Sequence, residues 1–174
     1  MPITLFDSKL HEAVEFTPLR SGEVSMYVCG PTVQSSPHVG HLRSALVYDL
    51  WSRWFTHRGY AVTLIRNVTD IDDKILEKSS ESGEEWRALA ARVESEFQAV
   101  ADALNIARPA LQPRATGDIP AMVELIETLI ERGHAYVAEG GSGDVYFSVS
   151  SWESYGELTN QSVENLTQSE TESS

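Results

Sequence analysis

Between Ser25 and Ile65 an apolar run, a polar loop, an amphipathic stretch and a second apolar run follow one another, and few folds accept that order. Ser25-Met26-Tyr27-Val28-Cys29, bounded by Gly22 and by Gly30-Pro31, reads as a buried strand. The prolines and the Thr, Gln and Ser residues of Gly30 to Pro37 block regular structure and make that stretch a loop. From about His41 to Arg58 the residues Leu42, Ala45, Leu46, Leu50, Trp54 and Phe55 recur at three and four, the spacing of a helix with one buried face, and Gly59 stops it. Tyr60 to Ile65 is a second strand, closed by the polar corner Asn67-Val68-Thr69-Asp70. Strand, loop, helix, strand is a βαβ unit, which predicts an α/β fold with a parallel sheet and a right-handed crossover. Ligands bind such sheets at the carboxyl ends of the strands, so Cys29 and the Asn67 to Asp70 corner are expected to face one crevice.

Downstream the pattern turns helical. Ile71 to Ser80 and Glu84 to Leu104 are helical by composition, and Asp118 to Arg132 is expected as a helix capped by Asp118, with Pro120 in its first turn and Gly133 at its end. Ala135 to Ala138 and Asp144 to Ser148, joined by a glycine-rich link, read as a β-hairpin. Residues 159–174 contain no aromatic and no basic residue and are expected to be disordered.

Charge narrows the function classes. The net charge of −13 argues against general nucleic-acid binding, which needs a basic stripe. Residues 1–66 nevertheless carry six Lys/Arg against five Asp/Glu, a net of +1, and residues 67–174 carry seven against twenty-one, a net of −14. An anionic small ligand therefore belongs in the first third. The chain has no basic leader with an apolar core and no apolar run approaching a membrane span, and its one cysteine rules out an internal disulfide framework. A cytoplasmic location is expected.

Pro37-His38-Val39-Gly40-His41 stands where a loop enters a helix behind a parallel strand. Two imidazoles there sit beside free backbone amides and the positive end of the helix dipole, a natural place for a triphosphate. Gly40 lets a flat base approach the backbone, and the histidines can donate to phosphoryl oxygens where charge develops. The bland alternative for the tetrapeptide is two surface-loop histidines. Cys29 admits two readings, a zinc ligand or a buried structural cysteine, and the lack of companion ligands at a recognisable spacing favours the second. Asp70, Asp72 and Asp73 read as capping charges at a helix start. Trp51 and Trp54 read as core or partial-core packing, and Arg43, Arg53, Arg58 and Arg66 as solvated charges.

Tyr27-Val-Cys-Gly-Pro-Thr32, Pro37-His-Val-Gly-His-Leu-Arg-Ser44, Ile65-Arg-Asn-Val-Thr-Asp-Ile-Asp-Asp-Lys74, Pro113-Arg-Ala-Thr116 and Gly133-His-Ala-Tyr136 together closely resemble cysteinyl-tRNA synthetases over roughly residues 1–158. The resemblance implies the first half of a class I, Rossmann-like catalytic domain in residues 1–110, the start of a connective insertion in 111–158 and a tail in 159–174. It implies ATP-dependent activation of L-cysteine to cysteinyl-adenylate, with Mg2+ accompanying ATP, and transfer of the cysteinyl group to tRNA(Cys). His38 and His41 match the catalytic histidines of the family's H-I-G-H motif, with Val39 in place of Ile, and with Gly40 they form the implied ATP-binding group. Gly30, Thr32 and Thr69 match residues around the substrate cysteine. Cys29 matches the first ligand of a Zn2+ ion that binds the substrate thiolate, and the family's other ligands fall beyond position 174.

The chain departs from that pattern in having no K-M-S-K-S loop, no second half of the nucleotide fold and no anticodon-binding domain. The expectation is that these 174 residues do not complete activation alone, lack an evident tRNA-binding surface, and associate with themselves or a partner through exposed sheet edge and apolar surface. Two other readings stay open: a relative of the ligase that joins cysteine to a glucosamine-inositol acceptor in mycothiol synthesis, and a non-catalytic paralogue that binds nucleotide or a partner protein. Lys74 and the intact Pro113 to Thr116 favour the synthetase over the first of these.

Overall fold

The computed structural model describes residues 2–160. Contacts divide the chain into two compact units, one of residues 18–119 and one that joins residues 2–17 to 120–160. The terminal hairpin thus groups with the later segment rather than with the residues that follow it in sequence.

The 18–119 unit is built on β3 (Glu23–Val28) and β4 (Ala61–Arg66), parallel neighbours in register from Glu23 opposite Ala61 to Val28 opposite Arg66. The expected βαβ unit is present, with α1 (Val39–His57) as its helix. Pairing continues past the strand ends through a bridge between Thr32 and Thr69. Along the other edge of β4 runs an irregular parallel segment: the Ala110 N–H donates to the Leu64 carbonyl at 2.8 Å, Arg66 to Leu111 at 3.1 Å and Val68 to Pro113 at 2.8 Å. That third lane is not visible in the sequence pattern, since Pro109 and Pro113 interrupt it.

Two helices follow. α2 (Asp73–Ser82) starts at Asp72, whose carboxylate accepts the Lys74 N–H at 3.0 Å, and ends at Gly83, whose φ of 72° is the left-handed conformation glycine adopts at least cost. α3 (Trp86–Ala103) starts at Glu85, which accepts the Ala88 N–H at 3.0 Å. One core cluster packs Val33 and Val68 from the strand extensions against Ile75, Leu89, Ala90 and Val93, and a second joins Leu42 and Ala45 of α1 to Phe97, Ala101 and Ile106.

α4 (Ala115–Glu131) begins three residues before the expected start, and Asp118 does not cap it. The cap comes from Asp70, whose carboxylate accepts the Thr116 N–H at 3.0 Å and the Thr116 hydroxyl at 2.5 Å, while the Ala115 N–H donates to the Val68 carbonyl at 3.1 Å. Pro120 therefore lies inside the helix rather than in its first turn. Gly133 does end it, at a φ of 77°.

Beyond α4 the expected hairpin forms from β5 (Ala135–Val137) and β6 (Val145–Phe147). The antiparallel hairpin of β1 (Thr4–Asp7) and β2 (Glu12–Glu15) was not anticipated. Of residues 159–174, expected to be disordered, 161–174 lie outside the described residues; Thr159 and Asn160 lie in a turn, where Asn160 Nδ2 donates to the Ser8 and Lys9 carbonyls.

The apolar face of α1 is only half covered. Leu42, Ala45 and Phe55 are buried as expected, but Leu46, Leu50 and Trp54 are exposed, and so is Trp51. The tryptophans are not core residues: Trp54 stacks on His57 and lies under Arg58, and Trp51 meets Tyr48 edge to face. No helix among the described residues is long and apolar enough to cross a membrane.

Asp70 is expected to hold the start of α4 by capping alone. Asp70→Ala should lower unfolding stability by about 1–2 kcal/mol and speed amide exchange selectively at Ala115 to Gly117. Unchanged exchange there would place the restraint elsewhere.

Candidate functional site

α1 starts at His38, whose extended backbone (φ −117°, ψ 172°) is that of a helix-capping residue. His38 Nδ1 accepts the Gly40 N–H at 3.1 Å, and His41 Nδ1 accepts the His38 N–H at 3.4 Å. This is a capping box made of two imidazoles, with His41 in the place usually taken by Glu or Gln. The rings stack, centroids 3.8 Å apart and planes 25° from parallel.

The cap fixes the chemistry the pair can present. With both Nδ1 atoms accepting from backbone, a neutral ring carries its proton on Nε2, so both rings offer an N–H donor away from the helix. Burial, and then the neighbouring His38, pushes the His41 pKa below the ordinary imidazole value, which favours that neutral donor. No acidic side chain occupies the first turn of α1 to compete for the helix dipole. Gly40 is required at close range: a Cβ there would lie 2.9 Å from His38 Cε1, so a side chain would push the ring aside.

At the adjacent end of β3, Gly30 is held by Asn67. The Gly30 N–H donates to Asn67 Oδ1 at 2.8 Å, Asn67 Nδ2 donates to Thr69 Oγ1 at 3.3 Å, and a Cβ on Gly30 would fall 1.6 Å from the Asn67 carbonyl oxygen. Thr32 and Thr69 are bridge partners: the Val33 N–H donates to the Thr69 carbonyl and the Thr69 N–H to the Pro31 carbonyl, both at 3.1 Å. The loop between Gly30 and His38 is tied to α3 through the Ser36 hydroxyl, which donates to Glu96 at 2.6 Å, and Glu96 in turn accepts from Arg92 at 2.8 Å.

Cys29, Gly30, Gly40 and His41 line one cavity of about 120 Å³, together with Pro31, Ser44, Ala45, Arg66 and Phe97. The carboxyl end of β3 and the amino end of α1 thus meet, whereas no residue of the Asn67 to Asp70 corner, expected to face the same crevice as Cys29, lines this cavity; Arg66 stands there instead. Thr32, Thr69 and His38 stand beside this cavity rather than on its wall. Cys29 is exposed, so the reading as a buried structural cysteine is wrong. Among the described residues no group of three or more His, Cys, Asp or Glu side chains could hold a metal ion. A larger groove of about 550 Å³ lies between α3 and the start of α4, but its Arg114 and Glu94 are paired with each other at 2.9 Å and its Asp70 caps α4.

Three residues at this site escaped the sequence reading. Asn67 was only part of a polar corner, Ser36 only part of a loop, and Arg66 was taken for a solvated charge although it is 3% exposed. Strand alternation contained the signal for Arg66, because it falls on the same face of β4 as buried Leu64.

A family model described as "tRNA synthetases class I (C) catalytic domain" matches residues 15–174. A protein of Leifsonia xyli subsp. xyli named cysteine--tRNA ligase is 61% identical over 95% of this chain, which spans 36% of that protein. One of the same name from Clavibacter michiganensis subsp. michiganensis is 57% identical over 92% of this chain, which spans 34% of it. The chain therefore covers about a third of the curated relatives' length. Among solved structures, the methionyl-tRNA synthetase of Mycobacterium tuberculosis in complex with methionyl-adenylate aligns over 71% of this chain and 30% of its own at a TM-score of 0.58 and 21% identity, a likeness of fold.

A long-range proton–nitrogen spectrum of the imidazoles checks the cap. His41 should be an Nε2–H tautomer titrating below the ordinary value of about 6.5. Because the folded pKa is depressed, its contribution to stability is present above the unfolded value and is lost as pH falls through it toward the folded one. A protonated Nδ1 on the neutral ring, or a midpoint above 6.5, would contradict the geometry.

Proposed function

Because the chain belongs to the class I (C) tRNA synthetase catalytic-domain family, we propose that it supplies one wall of the site where a cysteine--tRNA ligase activates L-cysteine with ATP. The observation that carries this reading is the stacked imidazole pair presenting two Nε2–H donors at a helix amino terminus, next to the Cys29 and Gly30 cavity.

In activation a carboxylate oxygen of cysteine attacks the α-phosphorus of ATP, the bond from that phosphorus to the bridging oxygen breaks, and pyrophosphate leaves with that oxygen's electrons. Negative charge gathers on phosphoryl oxygens during transfer. Fixed donors at the α1 start meet it without reorganisation, and neutral imidazoles do so without binding the ground state as tightly as a permanent cation would. His38 and His41 take the phosphoryl oxygens, and Gly40 leaves the helix start open to the nucleotide. Gly30, Thr32 and Thr69 border the cysteine, with Asn67 holding Gly30 and Thr69 in place.

Zinc does not fit as a site of these residues: Cys29 is the one cysteine and no three-ligand group surrounds it among the described residues. Transfer of the cysteinyl group to tRNA(Cys) belongs to the same reading, supported by the relatives' names, and that reading carries with it Mg2+ accompanying ATP and a cytoplasmic setting. The exposed row of Leu46, Leu50 and Trp54 also favours self-association, so the sedimentation coefficient should rise with concentration and Leu50→Lys should abolish the rise.

Amide chemical shifts of the 174-residue chain test the site. ATP should perturb Val39 to Leu42, and L-cysteine should perturb Cys29 and Gly30. His41→Ala should weaken ATP binding by roughly tenfold, the loss of a hydrogen bond to a charged group. Shifts confined to the α3 and α4 groove, or ATP binding indifferent to His41, would refute the assignment.

A further inference from the structure

Arg66 is a charged side chain on the covered face of the sheet. Its guanidinium stands 5.4 Å from the centroid of the Phe97 ring, its Nε has no hydrogen-bond partner, and no carboxylate lies within ion-pair distance of it among the described residues. The nearby buried acid, Asp49, is already engaged: one carboxylate oxygen accepts Arg53 Nε at 2.7 Å and the other the Ala107 N–H at 3.1 Å. Burial, and then the positive charge of Arg108, lowers the Arg66 pKa, an effect that the Asp49 carboxylate offsets only in part. A buried cation with an unpaired donor is costly, and the aromatic face offsets only part of the cost.

The same side chain lines the cavity of Cys29, Gly30 and His41. We propose that Arg66 binds an oxyanion entering this cavity and that the oxyanion is the α-carboxylate of the amino-acid substrate, an inference that rests on the function proposed above. Size makes the choice between carboxylate and phosphate. The space beside Arg66, about 120 Å³, holds a carboxylate with its α-carbon, whereas a triphosphate reaches well beyond it. The planar fork of an arginine matches a carboxylate edge, and the amino acid so held extends toward Cys29 at the cavity wall. The phosphates stay at the α1 start, at the side of the cavity that Gly40 and His41 line, with His38 and His41 as donors. Arg66 is then the residue that recognises the carboxylate end of the substrate, at a position that the sequence marks only as a basic residue in a strand.

The side-chain Nε–Hε signal of Arg66 in the isotope-labelled 174-residue chain tests this, with L-cysteine, cysteamine (the same thiol and amine without the carboxylate) and ATP as probes. L-cysteine should move the signal, and cysteamine and ATP should not. Arg66→Met should weaken L-cysteine binding by roughly tenfold or more while leaving ATP and cysteamine affinities unchanged, and Arg66→Lys should recover part of the loss. Should Arg66→Met fail to fold, the wild-type signal decides by itself. A signal indifferent to L-cysteine, or moved equally by cysteamine, overturns the proposal. A signal moved by ATP alone overturns the carboxylate assignment in favour of a phosphate. If the wild-type chain binds neither L-cysteine nor ATP, the proposed function falls and this inference with it; if it binds both and Arg66→Met binds L-cysteine unchanged, only this inference falls.

Discussion

The parallel register of β3 on β4 is the constraint from which the rest of the site follows. Val28 opposite Arg66 brings the Gly30 N–H within hydrogen-bonding distance of Asn67, and beyond the strand ends the pairing resumes one residue out of that register, with Thr32 opposite Thr69. A slip of β4 by one residue would turn Leu64 out of the core and break the Gly30–Asn67 hydrogen bond. Because Gly30 has no room for a Cβ against the Asn67 carbonyl, strand pairing and glycine identity enforce each other. The loop that leaves Gly30 is then delivered to α1 at a fixed height, and Ser36 on Glu96 restrains its far side.

From that frame the α1 start acquires its character. A helix terminus ordinarily satisfies its free amides with Ser, Thr, Asp or Asn. Here imidazoles do so through Nδ1, which leaves Nε2–H groups pointing outward and makes the capping interaction and the anion-binding interaction two ends of the same rings. A carboxylate cap at this position would stabilise the helix equally well, yet would place a negative charge where a phosphate is to sit. Local stability and ligand chemistry therefore agree on histidine.

Much of this is legible in the sequence where the signal is local. The βαβ order, the loop from Gly30 to Pro37, the stop at Gly59 and the β5–β6 hairpin follow from apolar periodicity and from glycine and proline positions. The rule that strand ends share a crevice places Cys29 at the cavity but not the Asn67 to Asp70 corner, whose place on the wall is taken by Arg66. What failed was long-range. The start of α4 depends on Asp70, 46 residues away, so no local pattern reveals it, and Asp118 looked like a cap because it precedes Pro120. The apolar stripe of α1 is wider than the surface these residues cover, so Trp51 and Trp54 are exposed despite their spacing. Arg66 is the reverse case: its charge suggested solvent, whereas strand parity placed it inside.

The central claim is that the α1 start and the end of β3 form one wall of a cysteinyl-adenylate site. A crystal structure of the chain with a non-hydrolysable cysteinyl-sulfamoyl adenosine tests it most directly. The account predicts the sulfamoyl oxygens within hydrogen-bonding distance of His38 and His41 Nε2, and the cysteinyl group in the cavity between Cys29 and Arg66. A ligand seated in the groove between α3 and α4, or a bound ligand that leaves both imidazoles free, would contradict it.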